Sequence, residues 1–315
     1  MQWMDGHCDT LFKIWKYSLF KKQLSFYERG PLDVNFPTAK EAGLGLQVFA
    51  LFVPDWIPRS QSWHLALTQV DLFYERIVQD GARVLPVLSK EDLFRVKETG
   101  KLGALLHLEG ADALQGELSH LRLLHRLGVR QLGLTWNHAN EAADGIEEDR
   151  NGGLTRFGRS VIEEMKRHQM ILDVSHLSVK GFWEVTEADL PILASHSNCR
   201  ALCPHIRNLE DDQIRALIRR NGIIGMNFLP KFVSEPAEKA TIDKVLRHIE
   251  HICSLGGEKH VALGSDFDGI EDKIPGLENV ADLHRLKEAL IKRYPDHLVR
   301  GWMWENGYRF YQRNL

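Results

Sequence analysis

Along the chain, short apolar or β-branched runs alternate with longer amphipathic stretches. The runs are GHCDTLF (6–12), LGLQVFALFV (44–53), ALLHLEG (104–110), QLGLTWN (131–137), ILDVSHL (171–177), PILASHS (191–197), GIIGMNFL (222–229) and VALGSDF (261–267). Short apolar runs of this kind read as strands buried on both faces, as in a parallel sheet. Between them apolar residues recur at helical spacing: Trp63, Leu67, Val70, Tyr74 and Ile77, then Ile214, Leu217 and Ile218, then Val245, Ile249 and Ile252. Eight strands alternating with helices predict an α/β chain, and eight is the count of a closed (β/α)8 TIM barrel. An open doubly wound sheet is the alternative, but no glycine-rich nucleotide fingerprint follows the first run. From about Ala281 onward the pattern turns helical, which predicts one or two extra C-terminal helices on the outside of the barrel.

Composition narrows this picture without redirecting it. The chain has 315 residues, 43% of them hydrophobic and 11 of them proline. No repeat, low-complexity tract or Gly/Ser linker divides it, so residues 1–315 read as a single barrel domain. The net charge of −3 and the lack of a dense Lys/Arg run exclude an electrostatic footprint for nucleic acid. The four cysteines, Cys8, Cys199, Cys203 and Cys253, are too scattered for a disulfide scaffold or a structural zinc site. No basic leader with an apolar stretch opens the sequence, and no segment is apolar enough to span a bilayer. The expectation is a cytoplasmic protein without membrane or nucleic-acid partners.

In a parallel barrel, functional residues emerge at the C-terminal ends of the strands. His7 and Asp9 close the first run, Glu109 the third, His176 the fifth, His196 the sixth and Asp266 the eighth. Singly, each has a bland explanation: a helix-capping histidine, a carboxylate favoured at a helix start, a turn-forming aspartate. Their recurrence at equivalent positions points to one site. Strand alternation turns His7 and Asp9 to the same side and Cys8 to the other, where it acts as a small hydrophobe. The remaining set of imidazoles and carboxylates exceeds the needs of one catalytic zinc. Two divalent ions, with zinc the expected metal, use it economically: His7, Asp9 and Glu109 on one, and Glu109, His176 and His196 on the other. Such a pair suits hydrolysis of an unreactive amide through a metal-bridging hydroxide.

These segments, together with LTWNHAN, GGLTRFGRSVIEEM, ILASHSNCRALCPHIRN and GSDFDG in this order, resemble the membrane (renal) dipeptidase family of binuclear zinc peptidases in the amidohydrolase superfamily. The resemblance spans nearly the whole chain. It implies a (β/α)8 barrel that cleaves small dipeptides, with metal ligands on His7, Asp9, bridging Glu109, His176 and His196. It places the arginine that binds the substrate's C-terminal carboxylate on Arg207, and the carboxylate after the eighth strand on Asp266. One departure concerns the substrate-polarising histidine, which in the family follows a Leu-Thr pair. Here Leu134-Thr135 is followed by Trp136 and Asn137, and a histidine comes only at His138. A two-residue offset along a strand would keep His138 on the same side, leaving Trp136 as a pocket wall. The secretion and lipid-anchor signals of anchored members are not visible, so the membrane part of the family name is not carried over.

Asp173 reads as a supporting or structural group, Asp268 as the shaper of the turn after Asp266, and His64, His107 and His205 as structural or solvent-facing. Two rival functions stand beside the dipeptidase. One is another amidohydrolase-type enzyme, such as an N-acyl amino acid deacylase, although HxD and Glu109 in place of HxH and a carboxylated lysine favour the dipeptidase branch. The other is a non-catalytic metal-binding homologue, against which the complete ligand set argues. A homodimer is compatible with all of these readings.

Overall fold

A computed structural model describes residues 2–315. Nine strands form one parallel sheet: β1 (Trp3–Cys8), β2 (Leu44–Phe52), β3 (Val84–Pro86), β4 (Leu102–Glu109), β5 (Val129–Gly133), β6 (Ile171–Asp173), β7 (Ile192–Leu193), β8 (Ile224–Met226) and β9 (Val261–Leu263). Their order is β7-β6-β5-β4-β2-β1-β9-β8, and a parallel bridge between Ala194 and Ile224 joins the two edges. This is the expected eight-stranded (β/α)8 TIM barrel.

The ninth strand, β3, was not anticipated. It pairs with the first residues of β4, below the point where β5 takes over the same edge. Three residues ending in Pro86 give neither a run nor an alternation to read.

Caps fix where the surrounding helices begin and end. Asn35, Ser89, Thr155, Ser178 and Thr241 each accept a backbone N–H in the first turn of the helix they precede. The helix Arg59–Leu72 runs into a π-helical turn, Phe73–Val78, and buries Leu65, Ala66, Gln69, Val70, Phe73 and Ile77. Trp63, Leu67 and Tyr74, expected on the inner face, lie at its margin.

The core has two parts. The larger lies between strands and outer helices. The smaller fills the lower lumen, where Met4, Leu46, Val48, Leu105, Ile171, Leu193 and Ala262 meet Trp304, Tyr308, Phe310 and Tyr311. The last helix, Asn306–Asn314, therefore closes the N-terminal mouth of the barrel rather than lying on its outside. Its Tyr311 is fully buried and donates to Gln131 Oε1 at 2.7 Å. The opposite, C-terminal mouth is left for the polar groups.

Candidate metal centre

β1 delivers His7 into the lumen and ends at Cys8, which pairs with Phe49 in the outer core layer. Burial pushes the Cys8 thiol well above its ordinary range, as suits a packing residue. Asp9 is the N-cap of the helix Thr10–Ser18, yet its side chain makes no capping bond. An aspartate there normally accepts a first-turn N–H. Instead its Oδ2 lies 3.4 Å from His7 Nε2, and Oδ1 is buried without a partner. A side chain at Gly269 would run into Asp9 Oδ2, so glycine keeps this space open.

Glu109 ends β4 with its two oxygens turned to different neighbours. Oε2 lies 3.5 Å from His7 Nε2, whereas Oε1 lies 3.2 Å from His176 Nε2 and 3.6 Å from His196 Nε2. β6 and β7 stop at Asp173 and Leu193, so His176 and His196 stand on the turns beyond them. His176 adopts a left-handed backbone (φ 69°), and its Nδ1 donates to Asn137 Oδ1 at 2.6 Å. Its Nε2 therefore offers a lone pair to the cluster. His196 Nδ1 lies 2.6 Å from Ser195 Oγ, and the two Nε2 atoms converge at 2.8 Å. Asp266, also left-handed (φ 65°), puts Oδ1 3.9 Å from His7 Nε2 while Oδ2 accepts from Asn227 at 2.9 Å.

The electrostatics of this cluster are those of a site built for cations. Burial pushes Glu109 well above the usual carboxyl range and raises Asp9. Burial, joined by the positive charges of Arg207 and His7, holds His176 and His196 well below the ordinary imidazole value. For His7, burial is outweighed by Glu109, Asp9 and Asp266, which hold its proton up to about 10. Both His7 ring nitrogens are buried with no hydrogen-bond partner among the described residues. His7, Glu109 and His196 bring ligand atoms within 4.8 Å of one another, as do His7, Asp9 and Asp266. Oxygen and imidazole nitrogen donors in this number fit divalent ions such as zinc or manganese.

A cavity of about 180 Å³ opens over the cluster, lined by Asp9, Glu109, His176, Asp266, Asn137 and Trp136 on the polar side. Phe12, Phe52, Leu229, Phe232 and Ile270, with Lys231 and Gly269, complete its walls. Trp136 packs edge-on against Phe52 at 5.2 Å. Arg207 lies behind this wall, only 4% exposed, with NH2 donating to the His196 carbonyl at 3.1 Å and Nε unpartnered. Burial pushes its guanidinium down to about 10.

His138 does not join the group. β5 ends at Gly133, so the segment carrying His138 is loop and strand alternation does not govern it. Its side chain is 52% exposed and faces Asp55 at 3.4 Å and Glu147 at 3.8 Å, beside a larger groove of about 600 Å³. From that loop it is Asn137 that hydrogen-bonds the His176 ring, while Thr135 donates to the His176 carbonyl. Ser195 and Asn227, which hold His196 and Asp266, are further partners of the cluster that the sequence does not mark. Asn and Ser next to a turn carry no signal that separates such a role from ordinary turn chemistry.

The sequence profile of the family described as membrane dipeptidase (peptidase family M19) matches residues 1–313. The chain belongs to that family. A dipeptidase of Aspergillus oryzae, aclJ, is 33% identical over 308 residues, spanning 92% of this chain and 72% of its own length. A crystal structure of a metallo peptidase from Rhodobacter sphaeroides, liganded with a phosphinate mimic of the dipeptide L-Ala-D-Ala, matches with a TM-score of 0.92 at 29% identity, covering 100% of this chain and 99% of that one. The structure of dipeptidase AC, a metallo peptidase of family M19, matches with a TM-score of 0.91 at 30% identity, covering 100% and 98%. Membership makes the chain a metallopeptidase-type hydrolase of the dipeptidase family. No helix of the described residues is long and apolar enough to cross a membrane.

Proposed function

We propose that the protein is a binuclear, metal-dependent dipeptidase whose two ions, zinc by expectation, are held by His7, Asp9, Glu109, His176 and His196. The observation that carries this reading is the split of Glu109, one oxygen toward His7 and the other toward His176 and His196. A carboxylate shared in this way is what two neighbouring cations need as a bridge. Bound there, the cations supply a hydroxide nucleophile at neutral pH and polarise the scissile carbonyl.

The chain's own residues do the rest. Arg207 offers a planar fork for the dipeptide's C-terminal carboxylate, with its unpartnered Nε in support. Asp266, anchored through one oxygen by Asn227, accepts the proton of the attacking water on the other. It passes that proton to the leaving amine nitrogen as the C–N bond breaks. Trp136, Phe52 and Phe12 wall the cavity against bulk water. No histidine directly follows Leu134-Thr135 and His138 is turned to the rim, so this chain would add no histidine to the carbonyl polarisation that bound cations would supply. The cavity is small beside the ~300–1,000 Å³ of drug-sized ligand sites, which favours a two-residue substrate over a long N-acyl chain. The four unpaired cysteines support a cytoplasmic setting.

The test is a substrate panel on protein supplemented with zinc or manganese: L,L- and L,D-dipeptides, N-acyl amino acids and lactones, with metal content measured on the same sample. Dipeptide hydrolysis at about two equivalents of metal is the expected result. Preferential turnover of N-acyl amino acids, or fewer than about two equivalents with no dipeptide hydrolysis, would overturn the reading.

A further inference from the structure

His176 and His196 stand on turns that must be held at a fixed separation if their imidazoles are to share one cation. One buried side chain does this. Asp173, the last residue of β6, accepts on a single oxygen, Oδ1, from the backbone N–H of Ser175 at 3.0 Å and of Ser195 at 2.9 Å. These are the residues immediately before His176 and His196. The two turns are then cross-linked. Ser175 Oγ accepts from the His196 backbone N–H at 3.2 Å, and Ser195 Oγ lies 2.6 Å from His196 Nδ1. On its other side, the Ser195 carbonyl rests in a trench of glycine, since a Cβ at Gly225 or Gly264 would overlap it. Ser195 is pulled from one side and walled on the other.

The second oxygen of Asp173 faces down the lumen. It lies 3.3 Å from His107 Nε2 and accepts from Gln131 Nε2 at 3.4 Å. Gln131 in turn accepts from Tyr311 of the last helix. Asp173 makes no side-chain hydrogen bond to the proposed metal set among the described residues; its hydrogen bonds reach that set through the two turns.

We infer that Asp173 is a positioning residue: one carboxylate oxygen sets the spacing of the Ser175–His176 and Ser195–His196 turns and, with it, the affinity of that half of the site for a cation. The inference rests on the metal-site reading above. Both N–H groups donate to one charged acceptor, the stronger kind of hydrogen bond, so a single side chain decides between held and loose turns. Groups that orient metal ligands typically change metal affinity by about 10–100-fold when removed.

The experiment compares wild type, Asp173→Ala and Asp173→Asn by hydrogen exchange on metal-free protein and by cobalt(II) titration, whose visible spectrum reports ligand geometry. Asp173→Ala should keep its circular dichroism but lose amide protection in segments 171–178 and 191–198. It should bind one of two cobalt ions about 10–100-fold more weakly, with an altered spectrum. Asp173→Asn still presents a carbonyl oxygen to both N–H groups and should restore protection and most of the affinity. Native protection and cobalt binding in Asp173→Ala would overturn the inference, as would an Asn variant no better than Ala. If Asp173→Ala does not fold, Asp173→Asn alone decides, by whether it keeps native protection at both serines. Wild type that binds no cobalt sinks the metal-site reading, while the exchange comparison still judges the clamp.

Discussion

At Arg207 two demands meet: the guanidinium is buried almost completely, yet Nε has no partner and NH1 reaches Ser197 Oγ only at 3.4 Å. A buried cation with spare donors is a poor structural element and a good receptor for a carboxylate. Arg207→Lys keeps the charge and loses the fork. One charge-assisted hydrogen bond, worth about 1.5–3 kcal/mol, corresponds to about 10–100-fold in KM. Initial-rate kinetics on a dipeptide and on its C-terminal amide should show the rise for the free carboxylate only. An equal KM for Arg207→Lys and wild type on free dipeptides would remove the assignment. His138 gives the opposite expectation. It is half-exposed and reaches only Asp55 and Glu147, so His138→Ala should leave kcat within about twofold and stability within ~0.5 kcal/mol. A hundredfold loss of kcat would show that the loop moves His138 into the site on substrate binding.

Among the elements, the helix Ile242–Ser254 carries a titration that tests packing independently of the site. His248 Nδ1 accepts from the Cys199 backbone N–H at 3.1 Å, and Nε2 donates to the Val233 carbonyl at 3.1 Å. The ring thus joins three segments in its neutral form, and burial holds it down to about 4 against 6.5 for a free imidazole. Between these values the unfolded chain binds the proton and the folded one does not, so stability falls as pH drops from about 6.5 and levels off near 4. The loss is at most about 3.5 kcal/mol at ~1.4 kcal/mol per pKa unit. Urea midpoints across that range should drop more steeply for wild type than for His248→Gln; parallel curves would show that His248 is not responsible. The same scale shows what the sequence made readable. Strands β2 and β4 were legible because each is a long, mostly apolar run, β4 closed by Glu109, and in β1 Cys8 was placed outward by alternation alone. β3 was not, having three residues and a proline. Nor was the offset of His176, His196 and Asp266 beyond their strands, since alternation stops where β6, β7 and β9 end and His176 and Asp266 turn left-handed. Polar partners such as Asn137, Ser195 and Asn227 become distinctive only when the fold brings them against a ligand from another strand.

For the molecule as a whole, the proposed metal set is a tie across the ring. His7 and Asp9 follow from β1, Glu109 ends β4, His176 and His196 follow β6 and β7, and Asp266 follows β9. Cations held by these residues would join strand ends from around the barrel, while the last helix closes the opposite mouth. Without cations, the buried carboxyls of Glu109 and Asp9 and the imidazoles of His176 and His196 are all displaced from their ordinary protonation ranges. On the proposed reading, cations bound by these groups would favour their unprotonated forms and so stabilise the native state. A ligand at a thousand times its dissociation constant stabilises the native state by ~4 kcal/mol per site, and each kcal/mol moves the melting point of a domain of this size by roughly 2 °C. Chelation should lower the melting temperature by several degrees, most of it regained on adding back zinc or manganese. Calorimetry of chelated and reloaded protein checks this. Equal melting temperatures, in a sample shown to have lost and regained about two equivalents of metal, would mean that the ring of ligands sits on a scaffold already rigid without it.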